Sequence, residues 1–199
     1  PEMYRRAALA FARERPGRVA VVGIRSIGTS LSAVVAAALG VAGCEVRSWT
    51  VRPRGHPFDR RLRAAPELER RWREMAGWTF AIVDEGPGLS GSSFAAVAEA
   101  LSGVGIPDER IVFFPSWDPE PARLLSETAR RRWTLHRKYL ARFEDLGLFR
   151  DARDLSGGNW RGEVWSAERE YPAVQPQHER RKYLRDGRLY KFAGLGTYG

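Results

Sequence analysis

Phe80-Ala81-Ile82-Val83-Asp84-Glu85-Gly86-Pro87-Gly88-Leu89-Ser90-Gly91-Ser92-Ser93 is the stretch of this 199-residue chain from which its fold class and its chemistry are read. Four apolar residues in a row fit a strand buried on both faces, the pattern of a parallel sheet. Two acids stand at its tip, followed by a Gly/Pro/Ser run and then an alanine-rich helical pattern over residues 92–101. Backbone N–H groups and the helix dipole at such a helix start suit a phosphate monoester. The glycines let the backbone come close, and the hydroxyls of Ser90, Ser92 and Ser93 add donors. Asp84 and Glu85 then face the other end of a ligand, where hydroxyls or a metal need acceptors.

Working outward, residues 2–15 have helical spacing, with Tyr4, Leu9 and Phe11 apolar, and Pro16-Gly17 ends the helix. Residues 19–24 are a second buried-strand run, which turns through residues 23–29 into a small-residue helix over 30–39. Residues 45–51 are a further strand, leading into the polar loop RPRGHPFDRR (52–61). Residues 66–75 predict an amphipathic helix with Leu68, Trp72 and Met75 inward. After the strand at 80–83 and its helix, residues 110–114 read as a fourth strand, ended by Pro115. Strands alternating with helices imply an α/β fold, a mostly parallel sheet flanked by helices. Ligands of such sheets sit beyond the carboxyl ends of the strands, where the two loops richest in Gly and Ser fall. Residues 121–146 read as helical and 151 onward as short strands and turns. The expected division is a core over 1–120 and an α+β extension over 121–199.

Hydrophobic content of 43% and charged content of 29% are those of a folded domain with a real core. No apolar run is long enough to cross a bilayer, so no membrane partner is expected; the small-residue stretch 31–44 reads as a buried helix. With no signal-peptide pattern, the expected location is cytoplasmic. The lone Cys44 leaves no intrachain disulfide and no cysteine-based zinc site; it is expected to pack against a helix. Beginning at Pro1 without methionine and stopping after GLGTYG, the sequence has the look of part of a longer chain. The formal charge of +9 favours anionic partners, a polyphosphate ligand or nucleic acid. The arginines are dispersed among acids, however, as on solvated helix faces. His136 and His178 have no evident partners and are expected at the surface.

Two other motifs share these letters. Gly86-Pro87-Gly88-Leu89-Ser90-Gly91 matches G-x-G-x-x-G between a strand and a helix. A dinucleotide pyrophosphate would then lie beside the negative charge of Asp84 and Glu85, and no acid follows at the expected distance, Asp118 being late. A P-loop is weaker still, because its lysine is missing.

Residues 80–93 resemble the phosphoribosyl pyrophosphate (PRPP) motif of type I phosphoribosyltransferases: four apolar residues, two acids and a Gly/Ser/Thr loop. VVGIRSIGTS (21–30) resembles the family's pyrophosphate loop, and RPRGHPFDR (52–60) stands where the family carries a mobile basic loop. The acid pair departs from the pattern in being Asp-Glu rather than Asp-Asp or Glu-Asp, and Gly-Pro-Gly before the serines is unusual. The resemblance implies a Mg²⁺-dependent enzyme that transfers the phosphoribosyl group of PRPP to a nitrogenous acceptor such as a nucleobase and releases pyrophosphate. It implies that Asp84 and Glu85 engage the ribose hydroxyls, directly or through Mg²⁺, while Gly88, Leu89, Ser90, Gly91, Ser92 and Ser93 hold the 5′-phosphate. Arg25, Ser26, Ile27, Gly28 and Thr29 are implied to hold the pyrophosphate, and Arg52, Arg54, His56 and Arg60 to clamp it as the loop closes. Trp117 and Asp118 stand where an acceptor base is stacked and read. Nucleic acid is not an expected partner on this reading, and a homodimer is compatible with it. The same site in a non-catalytic sensor of PRPP or a nucleotide is the alternative, and a basic nucleic-acid-binding protein a third.

Overall fold

The computed structural model describes residues 1–141, 169–171, 179–185 and 188–193. The chain divides into two compact units, Pro1–Phe143 and Glu144–Gly199.

The first unit contains helices α1 (Glu2–Ala12), α2 (Ile27–Val41), α3 (Pro66–Glu74), α4 (Ser92–Gly103) and α5 (Glu127–Leu135). Its strands are β1 (Arg18–Ile24), β2 (Glu45–Val51), β3 (Arg54–His56), β4 (Asp59–Arg61), β5 (Thr79–Val83), β6 (Ile111–Phe114) and β7 (Arg137–Lys138). Five of these form one parallel sheet in the order β2-β1-β5-β6-β7. The α/β class expected from the alternating pattern is therefore the class observed.

Strand periodicity builds a three-layer core. Successive residues of a strand point to opposite faces, so β1 sends Ala20, Val22 and Ile24 to one side and Val19 and Val21 to the other. The first side is covered by Trp72 of α3, by Phe94, Val97 and Leu101 of α4, and by Trp133 of α5. The second is covered by Tyr4, Ala8 and Phe11 of α1 and by Val35 and Leu39 of α2. Cys44 packs at the edge of this second cluster, where burial raises its thiol above the ordinary range.

Three expectations change. The helix read over 121–146 is a 3-10 turn at Pro121–Arg123 and then α5, because His136 takes an extended conformation and the chain enters the sheet as β7. Residues 121–141 thus pack with the first unit. Trp133 packs its ring 5.5 Å from that of Phe94 and 5.4 Å from that of Phe113, so α5 shares in covering that face of the sheet. The loop RPRGHPFDRR is an ordered antiparallel hairpin, β3 on β4, with Gly55 at φ +108°. Finally, His136 is buried at 2% exposure, with Nδ1 3.2 Å from the Asp108 carbonyl. Its helical neighbour Arg132, also buried, reaches Glu99 and Asp108 at 2.5 Å each. This network ties α5 to α4 and to the turn before β6.

In the second unit β8 (Arg169–Tyr171), β9 (Glu179–Arg185) and β10 (Arg188–Ala193) form an antiparallel sheet in the order β10-β9-β8. The stretch GNWRGEVW (158–165) and His178 lie outside the described residues. Among the described residues no helix is long and apolar enough to cross a membrane.

Burial, with Arg132 nearby, pushes the His136 imidazole down to about 4. The unfolded chain, with an ordinary histidine near 6.5, then binds more protons than the folded one between these values. Stability is accordingly expected to fall as pH drops from about 6.5 to 4, by roughly 2–3 kcal/mol. Urea unfolding across that range, compared with His136→Phe, measures it; the variant should lose this part of the acid sensitivity.

Candidate functional site

The carboxyl ends of β1 and β5 are neighbours in register, Gly23 beside Val83, so the loops that follow them meet. The meeting is close. A Cβ on Gly28, in the first turn of α2, would lie 2.6 Å from the Val83 carbonyl and 3.0 Å from Asp84 Oδ1. Only glycine lets the start of α2 seat against the end of β5. The backbone N–H groups of Gly28 and Glu85 bear on the Asp84 carboxylate and favour its charged form. Burial nevertheless dominates, and with Glu85 alongside it pushes the Asp84 carboxyl up to about 6, against the pull of those N–H groups and of Arg60.

The main chain of the acid pair is held from two sides. Tyr4 of α1 donates its hydroxyl to the Asp84 carbonyl at 2.7 Å. The Ser116 hydroxyl donates to the Glu85 carbonyl, and the Ser116 N–H lies 3.2 and 3.1 Å from the carbonyls of Glu85 and Gly86. These contacts answer the accounting that any part-buried carbonyl at a strand end requires.

The serine loop is a tight turn, closed by the Gly91 N–H on the Gly88 carbonyl at 3.1 Å. Gly91 caps α4 with φ +66°, and a Cβ there would lie 3.0–3.1 Å from side chains of Ala129 and Leu124. Both conformation and space demand glycine. Ser92 is buried and Ser93 half-buried, whereas Gly88 and Leu89 are exposed. The hydroxyls of Ser90 and Ser92 lie 3.0 Å apart and approach the Pro57 carbonyl at 2.8 and 2.6 Å. Pro57 is the tip of the β3–β4 hairpin, so the basic loop reaches the serine cradle directly.

Other expected residues divide into those brought to this edge and those turned to other work. Arg25 is exposed, with its N–H on Val51 and Nε 3.0 Å from Thr50 Oγ1. Ser26, Ile27 and Thr29 are exposed around the start of α2, and Ser26 precedes its first residue. Arg52, Arg54 and His56 are exposed on the strand end and hairpin, with His56 Nδ1 accepting the Phe58 N–H at 3.3 Å. Arg60 alone of these basic side chains registers electrostatically on Asp84. Trp117 is half-exposed and pinned by its indole N–H to the Pro87 carbonyl at 3.0 Å. Asp118 accepts the Trp133 indole N–H at 2.7 Å; it fastens α5 to the loop after β6 instead of standing free for a base.

A cleft of about 390 Å³ opens between β4, α4 and the start of α5, lined among others by Arg60, Arg61, Ser92, Ala96 and Ser126. It shares Ser92 with the serine cradle and Arg60 with the hairpin. Tyr4, the Pro57 carbonyl and this cleft were not legible in the sequence, since each depends on contacts between distant segments.

The two carboxylates offer hard oxygens at the mouth of the site. They fit Mg²⁺, which prefers a few carboxylates with water and phosphate oxygens to an all-protein cage. Among the described residues no cluster of three or more His, Cys, Asp or Glu forms such a cage.

No protein-family model and no curated protein matches the chain. Among solved structures it is similar to an ABC transporter permease structure from the Pseudomonas fluorescens group, at 15% identity and TM-score 0.43, over 61% of this chain and 29% of that one. It is also similar to a solute-binding protein of an ABC transporter from Rhodopseudomonas palustris BisB5, in complex with 3,4-dihydroxybenzoic acid, at 10% identity and TM-score 0.40, over 57% and 29% of the two chains. A third is 2,5-dihydroxypyridine dioxygenase from Pseudomonas putida KT2440, at 11% identity and TM-score 0.33, over 59% and 33%. The chain thus spans a third or less of each, and these likenesses carry no activity to it.

A raised carboxyl has a cost at neutral pH. The folded state binds the Asp84 proton more tightly than the unfolded chain, whose carboxyl is near 3.8. That contribution to stability is complete below about pH 4 and lost as pH rises through 6. Asp84→Asn is therefore expected to stabilise the fold by roughly 1–3 kcal/mol at pH 7.5 and hardly at all at pH 4. Thermal unfolding of both proteins at the two pH values checks this.

Proposed function

We propose that the first unit binds Mg²⁺-chelated PRPP and transfers its phosphoribosyl group to a nitrogenous acceptor, in the manner of the type I phosphoribosyltransferases it resembles. The observation that carries the reading is a convergence: the acid pair, the serine cradle, the start of α2 and the tip of a basic hairpin meet at one edge of a parallel sheet. Each is a separate stretch of sequence, and each suits a different part of the same ligand.

The serine hydroxyls and the N–H groups at the start of α4 take the 5′-phosphate. In doing so they release the Pro57 carbonyl, which cannot stay beside a phosphate oxygen. The start of α2 and Arg25 take the pyrophosphate, with Arg54, His56 and Arg60 of the hairpin above it. Bound with the ligand, Mg²⁺ supplies charge neutralisation of the pyrophosphate oxygens. Asp84 and Glu85 accept from the ribose hydroxyls and favour the positive charge that develops on the ribose as the C1′–O bond breaks. The acceptor nitrogen forms the new bond to C1′ and loses a proton, and the electron pair of the broken bond leaves with pyrophosphate. Positioning and electrostatics do most of this work. Trp117 gives a planar acceptor an exposed ring to stack on.

Pyrophosphate release over a panel of nucleobases and related heterocycles, with Mg²⁺ and PRPP, tests the proposal. At least one acceptor should support turnover. Glu85→Gln and Asp84→Asn should each lower kcat/KM about 100-fold, as expected for loss of charge stabilisation worth roughly 3 kcal/mol. Ser90→Ala with Ser92→Ala should act mainly on KM for PRPP. No release with any acceptor, together with no PRPP binding at millimolar ligand, contradicts the reading.

A further inference from the structure

Tyr4 is the one aromatic hydroxyl of α1, and it is spent on the site rather than on solvent. Its ring is 5% exposed, packed in the cluster with Val21, Val83 and Phe114. Its hydroxyl ends beneath the acid pair, donating to the Asp84 carbonyl at 2.7 Å. Ser116, which holds the next carbonyl, is close enough to bear on the phenol, as are the carboxylates of Asp84 and Glu85. Burial and these two acids raise the phenol well above its ordinary range, so it is a donor at every working pH.

We propose that Tyr4 is a positioning residue of the acid pair: by fixing the Asp84 carbonyl from below, it holds the main chain from which the Asp84 and Glu85 carboxylates project. The role rests on the reading of Asp84 and Glu85 as ligand-binding groups. A hydroxyl at this place is worth more than its single bond, because its removal leaves a part-buried carbonyl without its partner. The loop then relaxes toward water, and the carboxylate with it.

Tyr4→Phe keeps the ring and removes the donor. Two readouts separate positioning from packing: the backbone amide shifts of Asp84, Glu85 and Gly86, followed by NMR without ligand, and the Kd for PRPP with Mg²⁺ by calorimetry. The expected result is a shift of those three amides and a roughly tenfold weaker Kd, about 1.4 kcal/mol. Phe11→Leu, on the same helix and in the same cluster, should change neither. Unchanged amide shifts or an unchanged Kd in folded Tyr4→Phe, or equal changes in Phe11→Leu, overturn the assignment. Should Tyr4→Phe not fold, the unmodified protein decides. With 13Cζ-labelled tyrosine, the Tyr4 hydroxyl proton should exchange slowly with solvent, and fast exchange overturns the assignment. The amide shifts are read without ligand, so they judge Tyr4 even if the protein fails to bind PRPP, a failure that would count against the proposed function.

Discussion

The site depends on one close approach. The first turn of α2 sits against the last carbonyl of β5, at a distance that no side chain at residue 28 would allow. Adjacent parallel strands place their following loops side by side in any such sheet. Here the absence of a Cβ turns adjacency into contact, so that the start of one loop's helix lies against the carbonyl and carboxylate of the other. Everything placed at this edge inherits its position from that contact. The acid pair is aimed, the start of α2 is presented beside it, and Asp84 is drawn into a setting that raises its carboxyl.

Around this contact the structure spends polar groups freely. Tyr4 and Ser116 hold the main chain of the acid pair, and Trp117 holds Pro87. The Ser90 and Ser92 hydroxyls meet the hairpin tip. A turn that merely joined a strand to a helix would need none of this. The opposite region behaves differently. Arg132, Asp108 and Glu99 form a paired network beside a neutral, buried His136, and their work is to hold α5 on the sheet. The contrast separates charged groups that serve packing from those left available to a ligand.

The parallel sheet, the two loops at its carboxyl edge and the acids at the tip of β5 were all legible from the sequence, because apolar runs of four or more residues bounded by Gly, Pro and Ser leave few alternatives. The limits of α5 and β7 were not. Arg130, Arg131 and Arg132 look like one solvated helix face, yet Arg132 is buried through partners 33 and 24 residues away. The hairpin was read as a loop because its strands are three residues each, with every side chain exposed, and so carry no apolar alternation. Asp118 pointed toward a ligand in the sequence and toward Trp133 in the fold. Tyr4 gave no sign of its role, since a helix with apolar Tyr4 and Phe11 reads simply as core. For Arg132, Asp118 and Tyr4 the deciding partner lies far off in the chain.

The central claim is that two separate loops form one polyphosphate site. Backbone amide NMR during titration with PRPP and Mg²⁺ tests it most directly. The account predicts that the amides of residues 25–29 and 86–93 shift together, with one saturation curve. The amide of Phe58, beside the displaced Pro57 carbonyl, should shift with them. Shifts confined to one loop, or none in either at millimolar ligand, would contradict it.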